Sequence, residues 1–132
     1  MFVLDSNVCI RLLNQTHEGI AERFHRYPPN EIALCSVVKA ELLYGARRSR
    51  KVEENLRVLR VFFAPLASLS FDDRCADEAA QIRADLAAQG KPIGPHDILI
   101  AAMARAHDAV LVTHNMSEFA RVTGLRLDDW ES

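Results

Sequence analysis

No apolar run in the 132-residue chain is long enough to cross a bilayer, which excludes a membrane-spanning helix. Asp5 stands so close to Met1 that no room is left for the apolar stretch of a signal peptide, so the expected compartment is the cytosol. Basic charge is not in excess: 16 Lys and Arg face 18 Asp and Glu, a net charge near −2. A nucleic-acid partner therefore finds no support in bulk charge and would need a local basic patch. The cysteines, Cys9, Cys35 and Cys75, are three and far apart, with no CxxC or Cys/His finger spacing. That excludes a zinc finger and leaves buried, reduced thiols as the expectation. There is no repeat, low-complexity tract or linker, and Pro28-Pro29 reads as a turn. With 49% hydrophobic and 26% charged residues, the composition suits one globular domain with one core.

Periodicity then orders the chain. Phe2-Val3-Leu4 is a short apolar run ending at Asp5, read as a strand, with Ser6 or Asn7 placed to cap a helix reaching about Arg11. A second helix is expected at about Glu18–Arg26, where Ile20 and Phe24 lie four apart. Ile32-Ala33-Leu34-Cys35 is the next strand, and Ser36 is the expected cap of a helix running to Arg47, weakened near its end by Gly45. Arg50 to Phe63 is helical, stopped by Pro65, and Leu66 to Leu69 is a third strand. Phe71, Cys75, Ala79, Ile82 and Leu86 form one helical stripe, ending at Gly90. Pro95 suits the first turn of a helix running to about His107. Val110-Leu111-Val112 is a fourth strand and Leu125-Arg126-Leu127 a short fifth. Short apolar strands separated by helices predict an α/β fold: a three-layer α/β/α sandwich around a parallel sheet of four or five strands. In such sheets the ligand crevice lies beyond the carboxyl ends of the strands.

That rule tests the acidic residues by position. Asp5 follows strand one, Glu41 lies in the second turn of the helix after strand two, and Asp97 lies in the first turn of the helix opened by Pro95. Asn115 and Glu118 follow strand four. Carboxylates gathered on one rim repel one another unless a cation sits among them. Mg²⁺ and Mn²⁺ take oxygen ligands, and ions so held can also bind phosphate oxygens and activate water. Each residue also has a plainer reading. Asp5 can be a helix cap, Asp97 can complement a helix dipole, and Glu118 can be a solvated surface acid. Glu41 is harder to dismiss, because its neighbours Val37, Val38, Leu42 and Leu43 make an unpartnered carboxylate costly.

Leu4-Asp5-Ser6-Asn7 resembles the opening motif of PIN domains. Ser36 to Gly45, with Glu41 inside it, resembles their second motif. Pro92-Ile93-Gly94-Pro95-His96-Asp97 through Ala102 resembles the third, which is the most specific. Leu111-Val112-Thr113-His114-Asn115 through Phe119 resembles the fourth, and Gly124 to Trp130 resembles the tail of VapC-type toxins. The resemblance takes in nearly the whole chain in order and implies that residues 1–132 are a single PIN domain. It further implies a Mg²⁺- or Mn²⁺-dependent endoribonuclease and a homodimer, inhibited by a VapB-type antitoxin whose tail fills the active-site groove. Some relatives of this kind cut the anticodon stem-loop of initiator tRNA, which makes that RNA the leading substrate expectation. By the same resemblance the catalytic acids include Asp5, Glu41 and Asp97, with Asp5 and Asp97 as metal ligands.

One departure stands out. Many PIN domains carry Asp two residues after the threonine of the fourth motif, and this chain has Asn115. An amide brings no negative charge, so Glu118 is the expected fourth acid if a helical turn starts near Met116. Ser6, Asn7, Thr113 and Asn115 are candidates for holding the carboxylates or a metal-bound water. Arg47, Arg48 and Lys51 belong to the one dense basic run and are candidates for RNA phosphate contacts, although a helix edge paired with Glu53 and Glu54 is the plainer alternative. His96 and His114 adjoin the third and fourth motifs and could touch a phosphate; the histidines form no HxxxH pair. Leu12, Leu13, Leu56 and Phe62 are candidates for a dimer face. Two other functions compete. A PIN-like binding module that lost its metals is suggested by Asn115, and opposed by Asp5, Glu41 and Asp97. A phosphatase with Asp5 as nucleophile needs a second acid where Asn7 stands.

Overall fold

The structure is a computed structural model describing residues 1–132. Five strands form one sheet: β1 (Phe2–Leu4), β2 (Ile32–Cys35), β3 (Ala67–Leu69), β4 (Val110–Val112) and β5 (Arg126–Asp128). Every pairing is parallel and the order across the sheet is β3-β2-β1-β4-β5. Seven helices connect and cover it: α1 (Ser6–Asn14), α2 (Glu18–Arg26), α3 (Ser36–Arg47), α4 (Val52–Phe63), α5 (Asp73–Ala88), α6 (Pro95–Ala106) and α7 (Met116–Phe119). Successive strand side chains point to opposite faces. All four residues of β2 are nonetheless buried, so helices cover the sheet on both sides. The three-layer expectation holds, with five strands.

Most of the differences from the sequence reading lie at element ends and have local causes. Asp5 itself caps α1, its carboxylate accepting from the Ser6 backbone N–H at 2.8 Å, so neither Ser6 nor Asn7 is the cap. That helix continues past Arg11 to Asn14 and closes on Gln15 in the left-handed region. Ser36 is the first residue of α3, and its hydroxyl accepts from the Phe71 N–H at 3.2 Å. Gly45 does not break α3, which runs to Arg47. Helix α4 begins at Val52, not Arg50. Asp72 caps α5 through Cys75 N–H, so Phe71 falls outside the helix and is exposed, while Cys75, Ala79, Ile82 and Leu86 are buried as the stripe requires. A single 3-10 turn, Pro29–Glu31, follows Pro28 and leads into β2.

The core gathers 33 residues, with Leu4, Leu34, Ile100, Met103 and Leu111 fully buried at the sheet. All three cysteines are buried and unbridged; burial pushes the Cys35 thiol up to about 11 and keeps it protonated. Leu56 is part of this core, which removes it from any dimer face; Leu12, Leu13 and Phe62 are half-buried. The tail closes against the first strand. Trp130 is buried against Phe2 and stacks on Tyr27 with ring centroids 5.9 Å apart. No helix is long and apolar enough to cross a membrane.

Candidate active site

The chain winds outward from β1 in both directions, through β2 and β3 on one side and β4 and β5 on the other. The two windings part between β1 and β4, and a parallel sheet opens its crevice at the carboxyl ends of such a pair. Asp5 leaves β1 there and Thr113 leaves β4. The Asp5 N–H donates to the Val112 carbonyl at 2.9 Å. The Thr113 hydroxyl, fully buried, donates to Asp5 Oδ2 at 2.7 Å and accepts from the Asn115 N–H at 3.0 Å. Both Asp5 oxygens are thus fixed, Oδ1 by its own helix and Oδ2 by the residue that follows the neighbouring strand β4. Asp5 is 8% exposed, deeper than a residue standing on an open rim.

Helices α3 and α6 bring the other acids. Pro95 opens α6 without wasting an N–H, and two residues later Asp97 reaches the crevice. Its carboxyl is pushed up to about 6, first by burial and then by the charges of Asp5, Glu118 and Glu41, with a hydrogen bond to Glu118 adding to the rise. The four carboxylates expected from the sequence therefore converge. Glu118 is carried by α7, which does begin at Met116, and its Oε2 accepts from the Asn115 side-chain amide at 3.1 Å. Asn115 orients Glu118 in this arrangement. Glu41 faces the crevice with its Oε1 buried and without a hydrogen-bond partner; the His96 ring nitrogen lies 4.0 Å away. The Ser6 hydroxyl is likewise buried and unpartnered. None of the four acids is ion-paired to an arginine or lysine.

These observations fit a cation. Crowded carboxylates, one of them forced toward protonation, and orphaned oxygens nearby are what a hard divalent ion relieves. The donors are all oxygens, which suits Mg²⁺ or Mn²⁺ better than zinc. The acids are not drawn into a knot, since no three of them have ligand atoms all within 4.8 Å. An ion bound by one or two carboxylates, with waters and a substrate phosphate completing its shell, needs no tighter cage.

A groove of about 1060 Å³ runs from Ser6 and Glu41 between α1, α3 and α4, lined among others by Ile10, Leu13, Tyr44, Val58 and Arg48. Of the three basic candidates, Arg48 lines it. Arg47 and Lys51 do not, and Lys51 lies 3.8 Å from Glu54, the ion pair the plainer reading expected. Asn7 stands between this groove and a second hollow lined by Arg11, Thr16, His114, Asn115 and Glu131.

One cluster was not legible in the sequence. His114, Asp129 and Glu131 place ligand-type atoms within 4.8 Å of one another, His114 Nδ1 lying 3.1 Å from Asp129 and 3.7 Å from Glu131. Arg11 and His17 reach Glu131 from the other side, at 3.4 and 4.0 Å. Glu131 therefore already has a cationic partner, Arg11, within the chain. Only the fold brings α1 and the end of β4 to the acids of the tail.

Residues 2–125 match the model of the PIN domain family. The chain is 41% identical to the tRNA(fMet)-specific endonuclease VapC of Shigella flexneri, over 98% of this chain and 97% of that one. It is 35% identical to ribonuclease VapC2 of Rickettsia felis, over 99% and 98%. The toxin chain fold is shared with the crystal structure of DNA-bound VapBC from Salmonella typhimurium at a TM-score of 0.92 and 40% identity, covering 98% of this chain and 97% of that one.

Proposed function

The chain belongs to the PIN-domain family, in its VapC branch of endoribonuclease toxins paired with VapB antitoxins, and on that premise we propose that it cuts RNA with the help of Mg²⁺ or Mn²⁺ held by Asp5 and Asp97. The observation that carries the reading is the Asp97 carboxyl, raised first by burial and then by three neighbouring acids that no arginine or lysine neutralises. A divalent ion at such a site offsets charge on the scissile phosphate and makes bound water a better nucleophile. The chain's own residues do the rest. Asp5, locked by Ser6 and Thr113, keeps its carboxylate from turning away. Glu118, held by Asn115, supplies the fourth negative charge in place of the missing aspartate. Glu41, with an oxygen free to accept, is placed to orient attacking water or bind the ion through it. Presence of all four acids weighs against a binding module that lost its chemistry, and Asn7 leaves a phosphatase without its second acid.

Residues 1–132 act as one PIN domain in this reading, as a homodimer in the cytoplasm. The substrate is the anticodon stem-loop of initiator tRNA, by similarity to the Shigella flexneri relative named for tRNA(fMet). The VapB partner inhibits by filling the groove beside Glu41, whose apolar wall suits a protein segment. The test is cleavage of initiator tRNA against elongator tRNAs by purified toxin, with Mn²⁺, with Mg²⁺ and in chelator. Metal-dependent cutting of initiator tRNA in the anticodon loop, absent in Asp97→Asn, is expected. Undiminished cutting after exhaustive chelation refutes the metal, and equal cutting of all tRNAs refutes the substrate.

A further inference from the structure

The active-site chemistry leaves Tyr44 unexplained. Its side chain is 65% exposed, one of the most exposed large apolar residues of the chain, and it packs into no core. It lines the same groove as Glu41 and Arg48. Glu41 and Tyr44, three residues apart, share one face of α3, and Arg48 caps the helix four residues beyond Tyr44. The Arg48 guanidinium lies over the Tyr44 ring, 5.3 Å from its centroid. In this direction, therefore, a half-buried acid facing the reacting phosphate is followed by an open aromatic surface and then by a cation. At a rise of about 1.5 Å per residue, Arg48 lies roughly 10 Å along the helix from Glu41.

We propose that Tyr44 is a stacking platform for the nucleobase next to the scissile phosphate, with Arg48 receiving the outer phosphate of that nucleotide. The inference rests on the ribonuclease reading and adds the place where the strand leaves the crevice. An unpaired base offers a flat face to an aromatic ring whatever its identity, and single-stranded RNA is recognised largely this way. The arginine already stacked on the ring adds a cation–π contact and keeps the platform presented. The order acid, ring, cation favours RNA over a protein segment, because it follows the order phosphate, base, phosphate along a strand. A paired stem presents no base face to the ring, so the platform also selects for loops.

The test uses an anticodon stem-loop oligonucleotide of initiator tRNA, intact and with an abasic site on either side of the cut. Parent protein, Tyr44→Ala and Tyr44→Phe are compared by kcat and KM, with thermal unfolding confirming that each folds. The parent should lose about tenfold in kcat/KM on one of the two abasic RNAs. Tyr44→Ala should already show that loss on intact RNA, mostly in KM, and lose nothing more on the abasic one; Tyr44→Phe should behave as the parent. Cleavage of intact RNA by Tyr44→Ala at the parental rate overturns the proposal, as does an equal further loss on abasic RNA. Parental RNA kinetics combined with weakened inhibition by the antitoxin would assign the face to protein docking instead. A parent that cuts no RNA overturns this and the ribonuclease reading together, whereas cutting insensitive to Tyr44 overturns this alone.

Discussion

Replacing Asp97 by asparagine should make the metal-free protein more stable at pH 8 while abolishing its activity. An ordinary aspartate titrates near 3.8, and in the folded chain Asp97 does so at about 6. Between those values the folded state holds a proton that the unfolded state has released. The unfolded chain thus binds fewer protons, and stability falls as pH rises through that window. Below it the carboxyl is neutral in both states and costs nothing; above it the full penalty of a crowded, ionised Asp97 is present. The rise from 3.8 to about 6 is worth about 3 kcal/mol at ~1.4 kcal/mol per pH unit. Solvent screening of a half-buried group reduces this to about 1–2 kcal/mol. For a chain of this length that is roughly 3–8 °C in Tm. Thermal unfolding in chelator should therefore place Asp97→Asn above the parent at pH 8 and close to it at pH 4. Adding Mn²⁺ at pH 8 should raise the parent's Tm and close the gap, because the ion replaces the proton as the partner of the carboxylates. A variant less stable than the parent at pH 8 would refute the reasoning, since Asp97 would then be a structural group and not a strained ligand.

Three other substitutions probe the supports of the site. Thr113→Val removes a buried donor from Asp5 and should cost about 1–3 kcal/mol in urea unfolding, with cleavage falling as Asp5 is freed to turn. Glu118→Gln should raise the Mn²⁺ concentration needed for half-maximal cleavage, and Asn115→Ala should do so more weakly, because the amide acts only through Glu118. Metal titration of cleavage ranks the two, and the reverse ranking would make the amide the fourth group. Charge reversal at Arg48 should weaken RNA binding and flatten its salt dependence, while reversal at Lys51, which faces Glu54 outside the groove, should change little in the same salt titration.

The sheet was legible in the sequence because β1, β2 and β4 are apolar runs bounded by polar or turn residues, and burial on both faces demands that pattern. The positions of Asp5, Glu41 and Asp97 followed from the rule that parallel sheets bind at their carboxyl ends. Glu118 was legible as a candidate once Asn115 was seen in the usual place of an acid. What the sequence could not carry was long-range. Nothing local marks Thr113 as the clamp on Asp5, or Asn115 as the holder of Glu118. Leu56 has the pattern of an interface residue and is core because α4 rolls that face toward α3. Phe71 fitted the α5 stripe by periodicity, and Asp72 outcompeted it by capping the helix one residue later. The His114–Asp129–Glu131 cluster needs α1, β4 and the tail together, a conjunction no spacing reveals.

The hydrogen bond between Thr113 and Asp5 joins residues 108 positions apart. A poison made on the ribosome must not act before its antidote can reach it, and the separation of these residues bears on when the site can be complete. The strand bearing Asp5 is made well before its neighbour β4, the clamp and Glu118. Until then β1 lacks one of its two partners, and contacts so distant in sequence form late in folding. Nascent and prematurely ended chains should therefore be harmless. A fragment stopping before Val110, expressed without antitoxin, should leave cell growth unaffected even where it accumulates; growth arrest by that fragment would show that the site assembles without its closing strand.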